Sequence, residues 1–224
     1  MVGKFVNSTK GHNHMLVAVD TFTTWIEAKP IKKCDGKTAV KFIRELLYCY
    51  DYPHSIITNN GSNFVMGEMA EFCEEHGIRL DVASVAHLES NGQAERANQS
   101  VLSGLKPRLC DPIERAAGVW AEELLSLLWG INTSVNRSTS FTPFFMVYGA
   151  EAVMPTDLEH DSPHIVNYAM EENDTNRQDS HDLLDESRDL ARSHSAIYQQ
   201  GLRRYHSRRT RVAHEDKKRT GSTR

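Results

Sequence analysis

Two polar residues in the middle of the chain stand where a strand and a helix could bring them together. Asn59 follows the apolar run Ser55–Thr58, whose composition is typical of a short buried strand. Glu95 lies beyond a further 35 residues, in the stretch SNGQAERAN, where Ser90 and Gln93 have the spacing of a helix-capping box. An amide oxygen can contact a cation without adding charge, whereas a carboxylate also adds negative charge. The spacing predicts a polar site between a strand end and the first turns of a helix.

Each acidic residue near this site also has a purely structural interpretation. Glu95 in a first helical turn would be stabilised by the helix dipole as an ordinary solvated carboxylate. Asp20 ends the apolar run HMLVAV and could substitute as a ligand. Because aspartate at a strand end commonly caps a turn, we interpret Asp20 as a turn residue.

The elements that would position these residues alternate along the chain. An apolar run and a half-exposed alternating run predict a hairpin, and two amphipathic helices with intervening strands follow. This order predicts an α/β fold with a mixed sheet. The predicted strands are His14–Val19, Thr24–Ile31, Ser55–Thr58 and Ile78–Ser84, and the predicted helices are Thr38–Tyr50, Glu68–Glu75, Gly92–Leu109 and Val119–Val135.

The segments around Asn59 and Glu95 resemble the catalytic core of retroviral and gypsy-type LTR retrotransposon integrases. The family pattern T-D-N-G-x-x-F is similar to TNNGSNF, which begins at Thr58, and S-N-G-Q-x-E-R-x-N matches the stretch from Ser90. A third pattern, T-P-x-x-x-x-Y-G-x-x-x-x-x-P, matches from Thr142 to Pro155. The resemblance covers Val2 to Leu158 and implies an RNase H-like five-stranded mixed sheet flanked by helices. A C-terminal helical extension is expected to follow.

The resemblance also implies a metal-dependent site with one important departure. Integrases use Mg²⁺ or Mn²⁺, held by two aspartates and a glutamate, for cutting and joining phosphodiesters. The glutamate corresponds to Glu95, and Asn59 replaces the second aspartate. By the same alignment the first aspartate would stand immediately before Met1. We therefore expect Glu95 to be the remnant of the metal site, with functional metal binding lost.

Charge is distributed unevenly along the chain. Residues 1–150 carry 14 Lys and Arg against 16 Asp and Glu, residues 151–190 carry 2 against 12, and residues 191–224 carry 10 against 2. We predict a core domain over 1–158, an acidic linker over 159–179, and an amphipathic helix with a basic tail over 180–224. The tail is interpreted as a weak, non-specific DNA contact or as a solvated segment. The predicted nucleic-acid-binding residues are Asn91, Gln93, Arg96, Arg203, Arg204, Arg208 and Arg209.

Apolar residues recur every seven positions in the predicted C-terminal helix. One line holds Leu183, Leu190 and Ile197, and the next begins at Leu184. This pattern predicts a helix, over 183–198, that packs on the core or forms a homo-oligomer. Trp120 and Trp129 could stack on bases, but their apolar spacing favours core packing.

The cysteine spacing and the length of the apolar runs indicate the compartment of the protein. The four cysteines have no paired spacing, which favours a reduced compartment, and no apolar run is long enough for a membrane span. We expect an intracellular, nuclear protein. Two functions stay open: a truncated retrotransposon integrase core with impaired catalysis, or a non-catalytic DNA- or protein-binding module that keeps the fold. A different RNase H-like nuclease is a third and weaker interpretation.

Overall fold

The computed structural model describes residues 2–59, 61, 64, 67–82, 88–109, 118–154 and 183–205. The chain forms two compact units, Met1–Asn132 and Thr133–Arg224. The predicted acidic linker over 159–179 and most of the basic tail lie outside the described residues. The predicted domain boundaries therefore stay a prediction.

The first unit opens with the predicted hairpin. Strands β1 (His14–Val19) and β2 (Ile26–Ile31) pair antiparallel, with Val19 opposite Ile26. The strand predicted from Thr24 begins two residues later because Thr24 has a positive φ of 61°, which places it in the turn.

A parallel pair of strands follows the hairpin. Helix α1 (Gly36–Tyr50) leads to β3 (Ser55–Thr58), helix α2 (Glu68–Glu75) and β4 (Arg79–Val82), which pairs parallel with β3. Asp35 caps α1 by accepting from the backbone N–H and the hydroxyl of Thr38, and these hydrogen bonds lower its pKa to about 2. The two helices enclose a core of Ala39, Leu47, Met69, Phe72, Cys73 and Ile78.

Two long helices complete the first unit. Helices α3 (Leu88–Leu109) and α4 (Trp120–Asn132) pack against one face of the hairpin. Their shared core contains Met15, Ile26, Ala28, Ala97, Val101, Leu105, Trp120, Leu124, Leu127 and Leu128. The opposite face of the hairpin packs Leu16 and Ile31 against Phe42 of α1. The hairpin is therefore covered on both faces by helices.

Two predictions for the α4 region were wrong. Trp120 is buried, as expected for a core residue, but 41% of Trp129 is exposed. Helix α4 ends at Asn132, so Val135 lies beyond it and is 67% exposed. The helical spacing did identify the buried face, since Trp120, Leu124, Leu127 and Leu128 are all buried, and Trp129 lies off that face.

The sheet is smaller than predicted in the described part of the chain. Those residues form two two-stranded sheets, β1–β2 and β3–β4. Residues 2–5 run beside β1, with mutual backbone hydrogen bonds between Val2 and Met15 and one from the Phe5 N–H to the Asn13 carbonyl. Gly3 interrupts this ladder with a φ of 126°, where a Cβ would lie 2.9 Å from the Asn13 carbonyl oxygen. This kink leaves a bridge in place of a regular strand.

The second unit contains α5 (Pro143–Tyr148) and α6, a helix over residues 183–205. Thr142 caps α5 by accepting from the Phe145 N–H, and Pro143 occupies its first turn. Gly149 ends it in the left-handed conformation, at φ 76°, and an added Cβ would lie 3.1 Å from a Leu184 methyl. The Thr-Pro…Gly pattern noted in the sequence thus encodes both caps of a short helix.

Helix α6 buries one of the two apolar lines noted in the sequence and exposes the other. Leu184 and Ala191 are 5% and 0% exposed, and the Arg188 guanidinium donates to the Met146 carbonyl. By contrast, Leu183, Leu190 and Ile197 are 58%, 49% and 68% exposed. Packing of these three residues on a second copy of the chain stays a prediction.

A buried side chain links the hairpin to α4. The Asn132 amide donates to the carbonyl of Ile26 and accepts from the N–H of Ile26, both at 3.0 Å. Asn132 is only 3% exposed. Because β2 lies at the outer edge of its sheet, this amide satisfies backbone groups that no neighbouring strand reaches.

We expect Asn132→Ala to lower the free energy of unfolding by about 3 kcal/mol, since it leaves two buried backbone groups of Ile26 without partners. Urea denaturation followed by circular dichroism measures the change. Asn7→Ala, at an exposed asparagine, is the control and should change stability little. Equal effects of the two substitutions would contradict the assigned role of Asn132.

Candidate functional site

The end of β3 carries the first predicted site residue. Asn59 is exposed directly after the strand, and its Oδ1 would lie 3.3 Å from a Cβ on Gly61. The Asn59 amide oxygen therefore lies close to Gly61. The preceding Thr58 is half-buried, and its hydroxyl is a buried polar atom with no hydrogen-bond partner among the residues that the structure describes. Sequence reasoning did not single out Thr58, although it opens the T-x-N-G pattern.

Glu95 lies exposed on α3, but not in its first turn. The helix begins at Leu88, so Ser90 is inside the helix and the predicted capping box was wrong. At 3.6 residues per turn, Glu95 is about two turns from the start, where the helix dipole has little effect. Ser90, Asn91 and Gly92 have low helix propensity. They are helical because later residues of α3 pack into the core and stabilise the helix.

Gln93 connects the start of α3 to the hairpin turn. Its Nε2 donates to the backbone carbonyl of Thr21 at 3.4 Å. Its Oε1 is buried and has no hydrogen-bond partner within the described part of the chain. We predicted Gln93 as a nucleic-acid contact, and the structure adds a positioning contact that the sequence did not indicate.

Asp20 is a turn residue, as predicted. Its Oδ2 accepts from the Thr23 N–H at 2.8 Å and from the Thr23 hydroxyl at 2.5 Å. The Asp20 backbone N–H also donates to the Trp25 carbonyl at 2.9 Å. One oxygen of this carboxylate is therefore engaged in holding the hairpin turn.

The cationic residues predicted to bind nucleic acid are exposed where the structure describes them. Arg96 lies exposed on α3, next to Glu95. Arg203 and Arg204 lie exposed in the last turn of α6, in the second unit. Arg208, Arg209 and the side chain of Asn91 lie outside the described residues.

Comparisons with known proteins confirm the resemblance to integrase catalytic cores. Residues 2–87 match the profile of the Integrase core domain family. The chain is 26% identical over 147 residues to the Pro-Pol polyprotein of Simian foamy virus type 1, covering 66% of the chain and 12% of the polyprotein. It is 24% identical over 155 residues to the Gypsy retrotransposon integrase-like protein 1 of Bos taurus, covering 69% of the chain and 30% of that protein.

A solved structure shows the same fold. The chain superposes on the HTLV-2 integrase catalytic core domain in complex with magnesium, in its trimeric form, with a TM-score of 0.51 and 21% identity. The superposition covers 66% of this chain and all of that chain. The chain therefore has the α/β fold of integrase cores, and it spans about an eighth of the viral polyprotein that it matches.

The side chains at this site differ from the family's metal-ligand pattern. Asn59 supplies an amide where the family pattern has an aspartate, and the Asp20 carboxylate holds the hairpin turn. Glu95 keeps the carboxylate that the family pattern has at this position.

We expect Asp20→Ala to lower the free energy of unfolding by about 1 kcal/mol through loss of the turn contacts. Weak Mn²⁺ binding, measured by electron paramagnetic resonance, should be the same for Asp20→Ala and the wild type. Glu122→Ala, which removes another carboxylate that accepts from a threonine hydroxyl, is the control for a general loss of surface charge. A loss of Mn²⁺ binding confined to Asp20→Ala would show that Asp20 is a ligand.

Proposed function

We propose that this protein is a retrotransposon-derived integrase core that binds nucleic acid and has lost most or all of its catalysis of strand transfer. The observation that carries the proposal is Asn59, an uncharged amide at the strand end where the family pattern has an aspartate. The integrase-core fold and the matches to Pol polyproteins support the retroelement origin.

Charge counting supports the loss of catalysis. Two divalent cations bring four positive charges, and three carboxylates would normally offset three of them. Asn59 replaces one of those three carboxylates, so at most two of the four positive charges are offset. Mg²⁺ gives up its hydration reluctantly, so a second cation has too little compensation to bind. Ligands that act as a unit fail together, and activity falls by more than the sum of single losses.

The five-stranded RNase H-like sheet is part of this proposal. Residues 2–5 bond to β1, whose other neighbour is β2. If residues 2–5 formed a strand, it would lie between β1 and the β3–β4 pair and would join them into one sheet. The kink at Gly3 limits the regular ladder in the described residues.

Binding without catalysis is the second candidate function, and the exposed arginines favour it. Arg96 sits beside the candidate site, and Arg203 and Arg204 are exposed at the end of α6. Residues 191–224 carry 10 Lys and Arg against 2 Asp and Glu. Such a segment would bind DNA through its phosphates and without sequence preference. Binding to DNA would place the protein in the nucleus.

We predict no metal-dependent nicking or strand transfer by the wild-type protein in Mg²⁺ or Mn²⁺. Asn59→Asp returns one carboxylate to the family's ligand pattern, so any metal-dependent activity should be higher in this variant than in the wild type. Nicking of a labelled duplex is the measurement.

The control for this assay is Glu95→Gln, which removes the remaining carboxylate at nearly constant shape. If the wild type nicks DNA and Glu95→Gln does not, the ligands have been misassigned and the proposed loss of catalysis is wrong.

We also predict weak DNA binding that falls steeply as salt is raised. Replacing Arg203, Arg204, Arg208 and Arg209 with glutamine should reduce the slope of log K against log salt by roughly four, if each contacts one phosphate. Fluorescence anisotropy with a labelled duplex measures both affinity and slope. Replacing Lys32, Lys33, Lys37 and Lys41 in the first unit is the matched control, and an unchanged slope in the arginine variant would exclude the tail as the contact.

A further inference from the structure

Helix α6 carries two apolar lines that face different surroundings. Leu184 and Ala191 are buried within the second unit. Two further contacts hold this side of the helix, from the Arg188 guanidinium to the Met146 carbonyl and from the His194 ring to the Thr139 carbonyl. These contacts fix the rotation of α6 about its axis. Leu183, Leu190 and Ile197 are consequently held outward.

The exposed line has the spacing of a helix-pairing surface. Its residues recur every seven positions and project from the same side of α6, about 10 Å apart along the helix. Ser187 and Gly201 adjoin this line at helical spacing, and a Cβ on Gly201 would meet nothing within 4 Å. The surface is therefore apolar and open to close approach by another helix.

The charged residues of α6 indicate which helix would cover the exposed apolar line. Asp185 and Asp189 pair with Arg188 and Arg192 on the same helix. Glu186 forms no such ion pair within the described part of the chain, and it is exposed near the start of the helix. Arg204 is exposed near the end of the helix. By helical spacing it lies on the same side of the apolar line as Glu186. The helix thus has an acidic and a basic end beside one apolar line.

We propose that the exposed line is covered by the same line of a second copy of this chain, with the two helices antiparallel. Setting Glu186 level with Arg204 of the second copy also interleaves Leu190 with Ile197 of that copy. The two-fold symmetry makes each contact occur twice. A parallel arrangement would place Glu186 beside Glu186 and Arg204 beside Arg204, which like-charge repulsion disfavours.

A single helix face is a small interface, so association is expected to be weak and concentration-dependent. Sedimentation velocity of the full chain over a concentration series should show a monomer–dimer equilibrium. Leu190→Asp and Ile197→Asp should each raise the dissociation constant by at least about tenfold, which is 1.4 kcal/mol. Val135→Asp, at an exposed apolar residue of the same unit that is off the helix, is the matched control.

Charge reversal tests the antiparallel orientation and does not depend on the apolar substitutions. Glu186→Lys and Arg204→Glu should each weaken the dimer, and the double variant should restore it because both contacts are re-formed with reversed sign. Circular dichroism should show unchanged helicity in all these variants. A monomeric wild type, a dimer unaffected by Leu190→Asp, or a double variant weaker than both single variants would overturn the proposal.

Discussion

The buried amide of Asn132 is the interaction on which the arrangement of the first unit most depends. It bonds to both backbone groups of Ile26 and so attaches the outer strand of the hairpin to the end of α4. Helix α4 packs in turn against α3, the helix that carries Glu95. The Gln93–Thr21 contact joins the same α3 to the hairpin turn from the other end. Helix α3, which carries Glu95, is therefore positioned by polar contacts at the two ends of a shared apolar core.

Local patterns in the sequence predicted most elements, and long-range contacts explain the differences. The hairpin strand β1, strand β3 and helix α2 have the predicted bounds because alternation and helical spacing are local signals. The capping box at Ser90 was wrong because α3 starts earlier, where core packing outweighs weak local propensity. The sequence did not show which of the two apolar lines of α6 is buried, because the two lines have equal spacing and are adjacent in sequence. Contacts to Thr139, Met146 and Gly149, remote in sequence, determine which line is buried.

The secondary structure around Asn59 and Glu95 was predictable from the sequence, and the contacts of the neighbouring side chains were not. The motifs placed Asn59 after a strand and Glu95 on a helix, and both placements are confirmed. The role of Asp20 followed from the common preference of aspartate for turns. The unpartnered oxygens of Thr58 and Gln93 could not be found from sequence, because burial of one atom depends on the packing of distant segments. The sequence itself shows that the Asn59 amide replaces a carboxylate. The consequence is the loss of one negative charge at the site.

The proposed loss of catalysis depends on a site with too little negative charge for two metal ions. The most direct test is anomalous diffraction from crystals of this protein soaked in Mn²⁺, collected at an energy where manganese scatters anomalously. The account predicts at most one weak manganese peak near Glu95, and none for Glu95→Gln. Two strong peaks about 3.5–4 Å apart between Asn59 and Glu95 would show an intact two-metal centre and contradict it.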